Sequence, residues 1–151
     1  MTTKQSTNEL LLEYYNNFPL FCNLVWKQIG LPQLTPIQDQ IAKTLQNPPG
    51  DRYIIEGFRG VAKSFLTCAY CVWSLWRDPQ IKVMIVSANK ERADANAIFI
   101  KKIIDVLPFL SHLKAREGQR DTQNLFDVGP ALPDHSPSVK SVGIKGQLTG
   151  S

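Results

Sequence analysis

The chain has 151 residues, 43% of them hydrophobic and 20% charged, with a formal net charge of +4, an ordinary globular composition that suits one domain. Its three cysteines, Cys22, Cys68 and Cys71, are too few and odd in number for a disulfide framework, and no apolar run approaches the roughly 18 residues that cross a bilayer. Residues 1–8 carry no apolar stretch behind a basic one, so a signal peptide is not expected, and the reading is of a reducing, cytoplasmic protein with no membrane partner.

The first predicted element covers residues 9–29. Leu10, Leu11, Tyr14, Phe18, Phe21, Leu24, Val25 and Ile29 recur at helical steps. Pro19 is expected to break this stretch into two helices, and Gly30 and Pro32 to stop it. Thr35-Pro36 reads as an N-cap followed by proline at the first helical position. The helix it starts runs from about 36 to 46, with Ile37, Ile41 and Leu45 on one face. Asn47-Pro48-Pro49-Gly50 is a strong breaker and the expected internal boundary. It divides a helical region at 1–50 from an α/β region at 51–151.

Past that boundary the pattern changes. Residues 52–56, Arg-Tyr-Ile-Ile-Glu, form a short β-rich run. A glycine-containing loop follows, then a helix at 65–77 that is apolar nearly all round and should pack on several sides. Residues 82–87 read as a buried strand and 90–107 as an amphipathic helix with Ala93, Ala97, Ile100, Ile103, Ile104 and Leu107 on its apolar stripe. Two weaker strands are expected at 125–128 and 138–144, separated by a proline-rich loop. Alternating strands and helices predict an α/β domain with a parallel sheet.

The loop carries the chemistry. Gly57, Phe58, Arg59, Gly60, Val61, Ala62, Lys63 and Ser64 match the phosphate-loop pattern, glycine, four residues, glycine, lysine, serine or threonine, except that Ala62 stands where the second glycine belongs. Glycines let backbone N–H groups approach phosphate oxygens closely. Lys63 would set a positive charge on the β and γ phosphates, and the Ser64 hydroxyl would ligate Mg²⁺, a hard cation that prefers oxygen. The following helix turns its positive dipole end toward the anion. The expected cofactors are therefore ATP and Mg²⁺. The plain alternative is a strand–turn–helix with a solvated lysine. Ala62 favours it, because a methyl group there costs roughly 1–2 kcal/mol if the backbone must be left-handed.

Other signals are weaker. Nine basic and five acidic residues fall within 77–120, namely Arg77, Lys82, Lys90, Arg92, Lys101, Lys102, Lys114, Arg116 and Arg120 against Asp78, Glu91, Asp94, Asp105 and Glu117. This density suits nucleic acid or, equally, a solvated helix face. Cys68 and Cys71 have metal-ligand spacing but no second pair nearby, and they read as core. Asp134-His135-Ser136 is not a catalytic triad, because triads assemble in space rather than from consecutive residues.

Over residues 18–151 the sequence resembles the large terminase subunit of short-tailed podovirus-type phages, also called DNA maturase B. The segments that carry the likeness are Phe-Arg-Gly-Val-Ala-Lys-Ser-Phe at 58–65, Val-Trp-Ser-Leu-Trp-Arg-Asp-Pro-Gln at 72–80, residues 86–96, and the tail from Asp134 to Ser151. The resemblance implies a P-loop NTPase of the RecA-like additional-strand type, followed in the family by an RNase H-like nuclease. It implies ATP-driven packaging of double-stranded DNA in the cytoplasm of an infected host. The implied partners are the portal and capsid, the small terminase subunit and further copies of the same protein in a ring. Gln38, in Thr35-Pro36-Ile37-Gln38, looks like the family's adenine-reading glutamine, since an amide offers a donor and an acceptor; it can equally be a polar residue on an exposed helix. Arg59 looks like a catalytic arginine acting in cis on the γ phosphate, or it salt-bridges Glu56. In the family, the segment resembling Gly146 to Ser151 precedes the acids that hold Mg²⁺ and activate water. The expectation is thus an incomplete ATPase core, inactive alone. A P-loop helicase, another DNA-dependent ATPase or a non-enzymatic remnant are the rival readings.

Overall fold

The computed structural model describes residues 2–57 and 62–144, with side chains from Thr7 onward. Four helices come first: α1 (Thr2–Asn16), α2 (Phe18–Gln28), α3 (Pro36–Gln46) and α4 (Lys63–Arg77). Then follow strand β1 (Val83–Ser87), helix α5 (Lys90–Val106), a 3-10 segment (Pro108–Leu113), β2 (Leu125–Phe126) and β3 (Val139–Gly143). The chain divides into two compact units, Met1–Trp73 and Ser74–Ser151.

In the first unit the α1–α2 break falls at Asn17, two residues before the proline expected to cause it. Asn17 is the N-cap of α2, its side chain accepting the Leu20 N–H at 3.2 Å, and Pro19 sits in the first turn, where a missing N–H costs nothing. The break frees backbone groups on either side, and one side chain satisfies both. Gln46, at the end of α3, accepts from the Phe18 N–H at 3.0 Å and donates to the Asn16 carbonyl at 2.9 Å. Phe18, fully buried, lies 5.4 Å edge-on from the Tyr70 ring and 5.3 Å from Trp73. The Trp73 indole donates to the Tyr14 carbonyl at 3.0 Å, so the one polar atom of a buried ring has a partner. Phe21, Val25 and Trp26 from α2, with Leu66, Ala69 and Val72 from α4, complete this core. The part of α4 within this unit thus buries Leu66, Ala69, Val72 and Trp73.

The expected strand at 52–56 is not formed. Residues 53–57 run without regular structure, and Ile54 is 86% exposed. β-branched residues favour a pleated surface, but a strand exists only where a neighbour completes its ladder. No described segment pairs with this one.

The second unit is a small sheet with a helix across it. Strand order is β1-β3-β2, with β1 and β3 parallel from Val83↔Val139 to Ser87↔Gly143, and β2 antiparallel to β3. The parallel sheet expected from the sequence is thus present as one pair, closed on one side by an antiparallel edge. Side chains alternate across it: Val139, Ser141 and Gly143 are buried, while Met84 and Val86 are 64% and 54% exposed. α5 packs on β3 and β1 through Ala93, Ala97, Ile100, Ile103 and Ile104. Each buried isoleucine contributes about 1.5–3 kcal/mol. Gly143 permits the close approach: a Cβ there would lie 2.4 Å from the Lys90 nitrogen and 2.6 Å from the Asn89 carbonyl carbon.

Candidate nucleotide-binding loop

Of the sequence-derived loop, Gly57, Ala62, Lys63 and Ser64 lie within the described residues; Phe58, Arg59, Gly60 and Val61 lie outside them. The loop therefore lies between a segment without regular structure and the start of α4. Ala62 has φ 65, and it is the one non-glycine residue with positive φ among the described residues. The left-handed conformation whose cost was weighed from the sequence is adopted, with the methyl group in place. Its carbonyl accepts the Leu66 N–H at 3.0 Å, which makes Ala62 the residue from which the α4 ladder begins.

The half-buried Lys63 turns its ammonium back across the loop and donates to the Gly57 carbonyl at 2.5 Å. A side chain from the first turn of α4 is thereby tied to the first residue of the motif. Ser64 is exposed in the same turn. A helix of 15 residues presents the N–H groups of its first turn and a positive dipole end here. The charges and donors suit an anion such as phosphate, and an exposed hydroxyl one residue past the lysine can ligate a hard cation. Among the described residues no group of three or more His, Cys, Asp or Glu side chains stands ready to hold a metal by itself.

Gln38 occupies the third position of α3. Its side-chain oxygen accepts the Thr35 N–H at 3.1 Å, and the Thr35 hydroxyl accepts the Gln38 N–H at 3.2 Å. Thr35 and Gln38 thus form a reciprocal capping box, a pattern that a threonine and a glutamine three residues apart carry in the sequence. Any contact with a base must share the carboxamide with the cap.

Eight of the nine basic residues of 77–120 divide into two groups. Lys82 pairs with Asp134 (3.8 Å), Lys101 with Asp121 (2.6 Å), Lys114 with Asp105 (3.6 Å) and Arg120 with Asp127 (3.1 Å). Arg116 donates to the Gly129 carbonyl at 2.7 Å. Lys90, Arg92 and Lys102, all exposed on α5, make no ion pair with another described residue. A hollow of about 340 Å³ in the second unit is lined by Lys101, Ile104, Lys114 and Phe126. It holds no obvious chemistry, because the Lys101 ammonium is already bound to Asp121 and the Thr122 carbonyl and lies 4.8 Å from the centre of the Phe126 ring.

The most developed polar network was not foreseen. Arg120 donates through Nε to Asp127 at 3.1 Å, and its terminal nitrogens take the carbonyls of Asp134, His135 and Ser136 at 2.6, 2.7 and 3.1 Å. The Asp-His-Ser run is thus a loop gripped by one guanidinium, in keeping with its rejection as a triad. Asp127 also accepts the N–H groups of Arg120 and Ser138. Burial alone would raise its pKa, but these hydrogen bonds and the Arg120 charge outweigh burial and hold the carboxyl below its ordinary value.

The cysteines are core, as expected. Cys22, Cys68 and Cys71 are free and buried. Burial pushes Cys68 and Cys71 up to about 12, with each other's proximity adding to the rise at Cys68 and a backbone hydrogen bond opposing it at Cys71. Cys22 is raised further still, by burial and then by Asp39. Among the described residues no helix is long and apolar enough to cross a membrane.

No protein-family model matches the chain. Over 152 aligned residues it is 57% identical to a curated protein described as "Terminase, large subunit" from Enterobacteria phage T3. The match takes in 100% of this chain and 26% of that protein, so the chain spans about a quarter of the relative's length. The resemblance first drawn from the loop and its flanking motifs holds along the whole sequence: the chain is similar to a segment of a phage terminase large subunit.

Proposed function

We propose that the chain is the ATP-binding, amino-terminal part of a phage DNA-packaging motor, acting on double-stranded DNA in the host cytoplasm. In this reading residues 51–151 are the first part of a P-loop ATPase core of the RecA-like additional-strand type, and residues 1–50 are a helical region carrying the adenine-binding glutamine. The observation that carries the reading is the bond from Lys63 Nζ to the Gly57 carbonyl, closing the motif at the start of a long helix. Identity of 57% with a terminase large subunit supports it.

Each residue then has a task. The N–H groups of the first α4 turn bind phosphate oxygens, and Lys63 exchanges the Gly57 carbonyl for the β and γ phosphates. Ser64 would hold Mg²⁺ through its hydroxyl, and the ion would supply positive charge to offset that of the phosphates. Arg59 stabilises charge on the transferring phosphoryl group, and Gln38 reads adenine while it caps α3. The portal, capsid, small terminase subunit and sister copies are the proposed partners, and the nuclease is assigned to sequence outside this chain.

The test is DNA uptake. A large subunit carrying this segment is mixed with capsids, ATP and double-stranded DNA, and protection from nuclease is scored. Lys63→Ala should abolish protection. Full protection by the variant would defeat the proposal.

A further inference from the structure

We infer that residues 52–56 of one copy of the chain add as an antiparallel strand to the free edge of β1 in a second copy. Both halves of that contact stand open in the structure. β1 ends the sheet, since the strand order is β1-β3-β2. The Val83 N–H donates to the Ser138 carbonyl at 2.8 Å, so Val83, Ile85 and Ser87 address β3. Met84 and Val86 therefore turn their backbone N–H and C=O groups away from it, and they are 64% and 54% exposed. Edge strands are commonly blunted by a charge, a proline or a bulge. Val-Met-Ile-Val-Ser carries neither charge nor proline.

The other half is the β-rich run ahead of the loop. Among the described residues no backbone hydrogen bond reaches 52–56. Arg52, Ile54 and Glu56 are exposed while Tyr53 and Ile55 are half-buried, the two-residue alternation of a strand. Charge sets the direction. With Ile54 opposite Met84 in an antiparallel pair, Glu56 falls opposite Lys82 and Arg52 opposite Val86. A parallel pair on the same centre would set Arg52 against Lys82, like charge on like. The antiparallel register engages the outward N–H and C=O of both Met84 and Val86 and packs Ile54 beside Met84. It also gives Lys82 a second carboxylate in addition to Asp134, 3.8 Å away. The two surfaces differ, so each copy offers one of each and the contact is heterologous. It does not depend on nucleotide.

The test uses the 151-residue chain. Ile54→Cys molecules are mixed with Met84→Cys molecules under mild oxidation, and the linked peptides are mapped by mass spectrometry. The natural cysteines are buried and stay out of the reaction. Each variant carries one new thiol, so a bond between positions 54 and 84 joins two copies. Directly opposed residues of paired strands lie within disulfide reach. That link should dominate; links of 54 to 54 or 84 to 84 alone, or none, would overturn the inference. Sedimentation velocity supplies a second readout. Met84→Pro removes an outward N–H and no bond to β3, so it should keep the wild-type thermal melt yet sediment as a monomer. Glu56→Lys should weaken association about 2- to 5-fold, and Lys82→Glu in the same chain should restore it. Should Met84→Pro fail to fold, the cross-link and the charge exchange decide. A folded Met84→Pro variant that still associates, a charge exchange that restores nothing, or a wild-type chain that is monomeric at every concentration would each overturn the pairing.

Discussion

Replacing Asp127 by asparagine should destabilise the second unit by about 2–4 kcal/mol at pH 7. The figure follows from its surroundings. The Asp127 side chain is 12% exposed, and its carboxylate accepts from Arg120 Nε, the Arg120 N–H and the Ser138 N–H. Asparagine removes the charge that Arg120 faces and turns a donor toward one of these N–H groups. Arg120 keeps three carbonyl partners and is a third exposed, which places the loss below that for a wholly buried pair. The pH dependence has a definite sign. Because the folded-state pKa lies below the ordinary 3.8, the carboxylate's contribution is full above that value and disappears as pH falls through the lower, folded-state pKa. Urea unfolding followed by circular dichroism, from pH 7 down to pH 2, should show the wild type losing stability on the acid side. Asp127→Asn should be weaker at pH 7 and flatter in acid. A variant within 0.5 kcal/mol of wild type at pH 7, or one with an unchanged acid limb, would show that the network is ornamental, since about 0.5 kcal/mol is the usual scale for an uninvolved surface position.

Gly143→Ala should cost about 1–3 kcal/mol, because its Cβ would meet backbone rather than a movable side chain; chemical denaturation measures this, and a neutral result would mean that the first turn of α5 can shift. Gln46→Ala should cost about 1–2 kcal/mol by leaving the Phe18 N–H and Asn16 carbonyl unpaired; a loss under 0.3 kcal/mol would mean that water replaces it. Cys22, Cys68 and Cys71 should resist a thiol reagent at pH 8 until the protein unfolds, and prompt labelling of the native chain would contradict their burial. Binding to double-stranded DNA should be independent of sequence and fall steeply with salt. Glutamine at Lys90, Arg92 and Lys102 should lower the salt slope by about 0.9 per contact removed, and an unchanged slope would free α5 of that role.

The helices were legible because their signals are local. Thr35-Pro36 and the Ile41–Leu45 spacing placed α3 at about 36–46, as found, although Ile37, expected on the same face, is 47% exposed; the α5 stripe of Ala93, Ala97, Ile100, Ile103 and Ile104 is the face that packs on the sheet. The α1–α2 break was misplaced by two residues because Asn17 caps and Pro19 merely tolerates the first turn. The run at 52–56 misled because β propensity describes a surface waiting for a neighbour, and the neighbour is a non-local fact. Arg120 and Asp127 gave no signal of their pairing, since residues 120–127 form no helix, the two sit on no common periodic face, and the bond forms only when the loop folds back. Of the loop, residue types declared the chemistry. That Ala62 would be left-handed was a conditional expectation that only the backbone could decide.

The central claim is that the loop ending in Lys63 binds nucleotide phosphate. Calorimetric titration of Mg-ATP into the wild-type chain and into Lys63→Ala tests it most directly. Loss of the lysine should weaken binding by about 1.5–3 kcal/mol, the scale of a hydrogen bond to a charged group. Equal affinity of the two proteins would contradict the account.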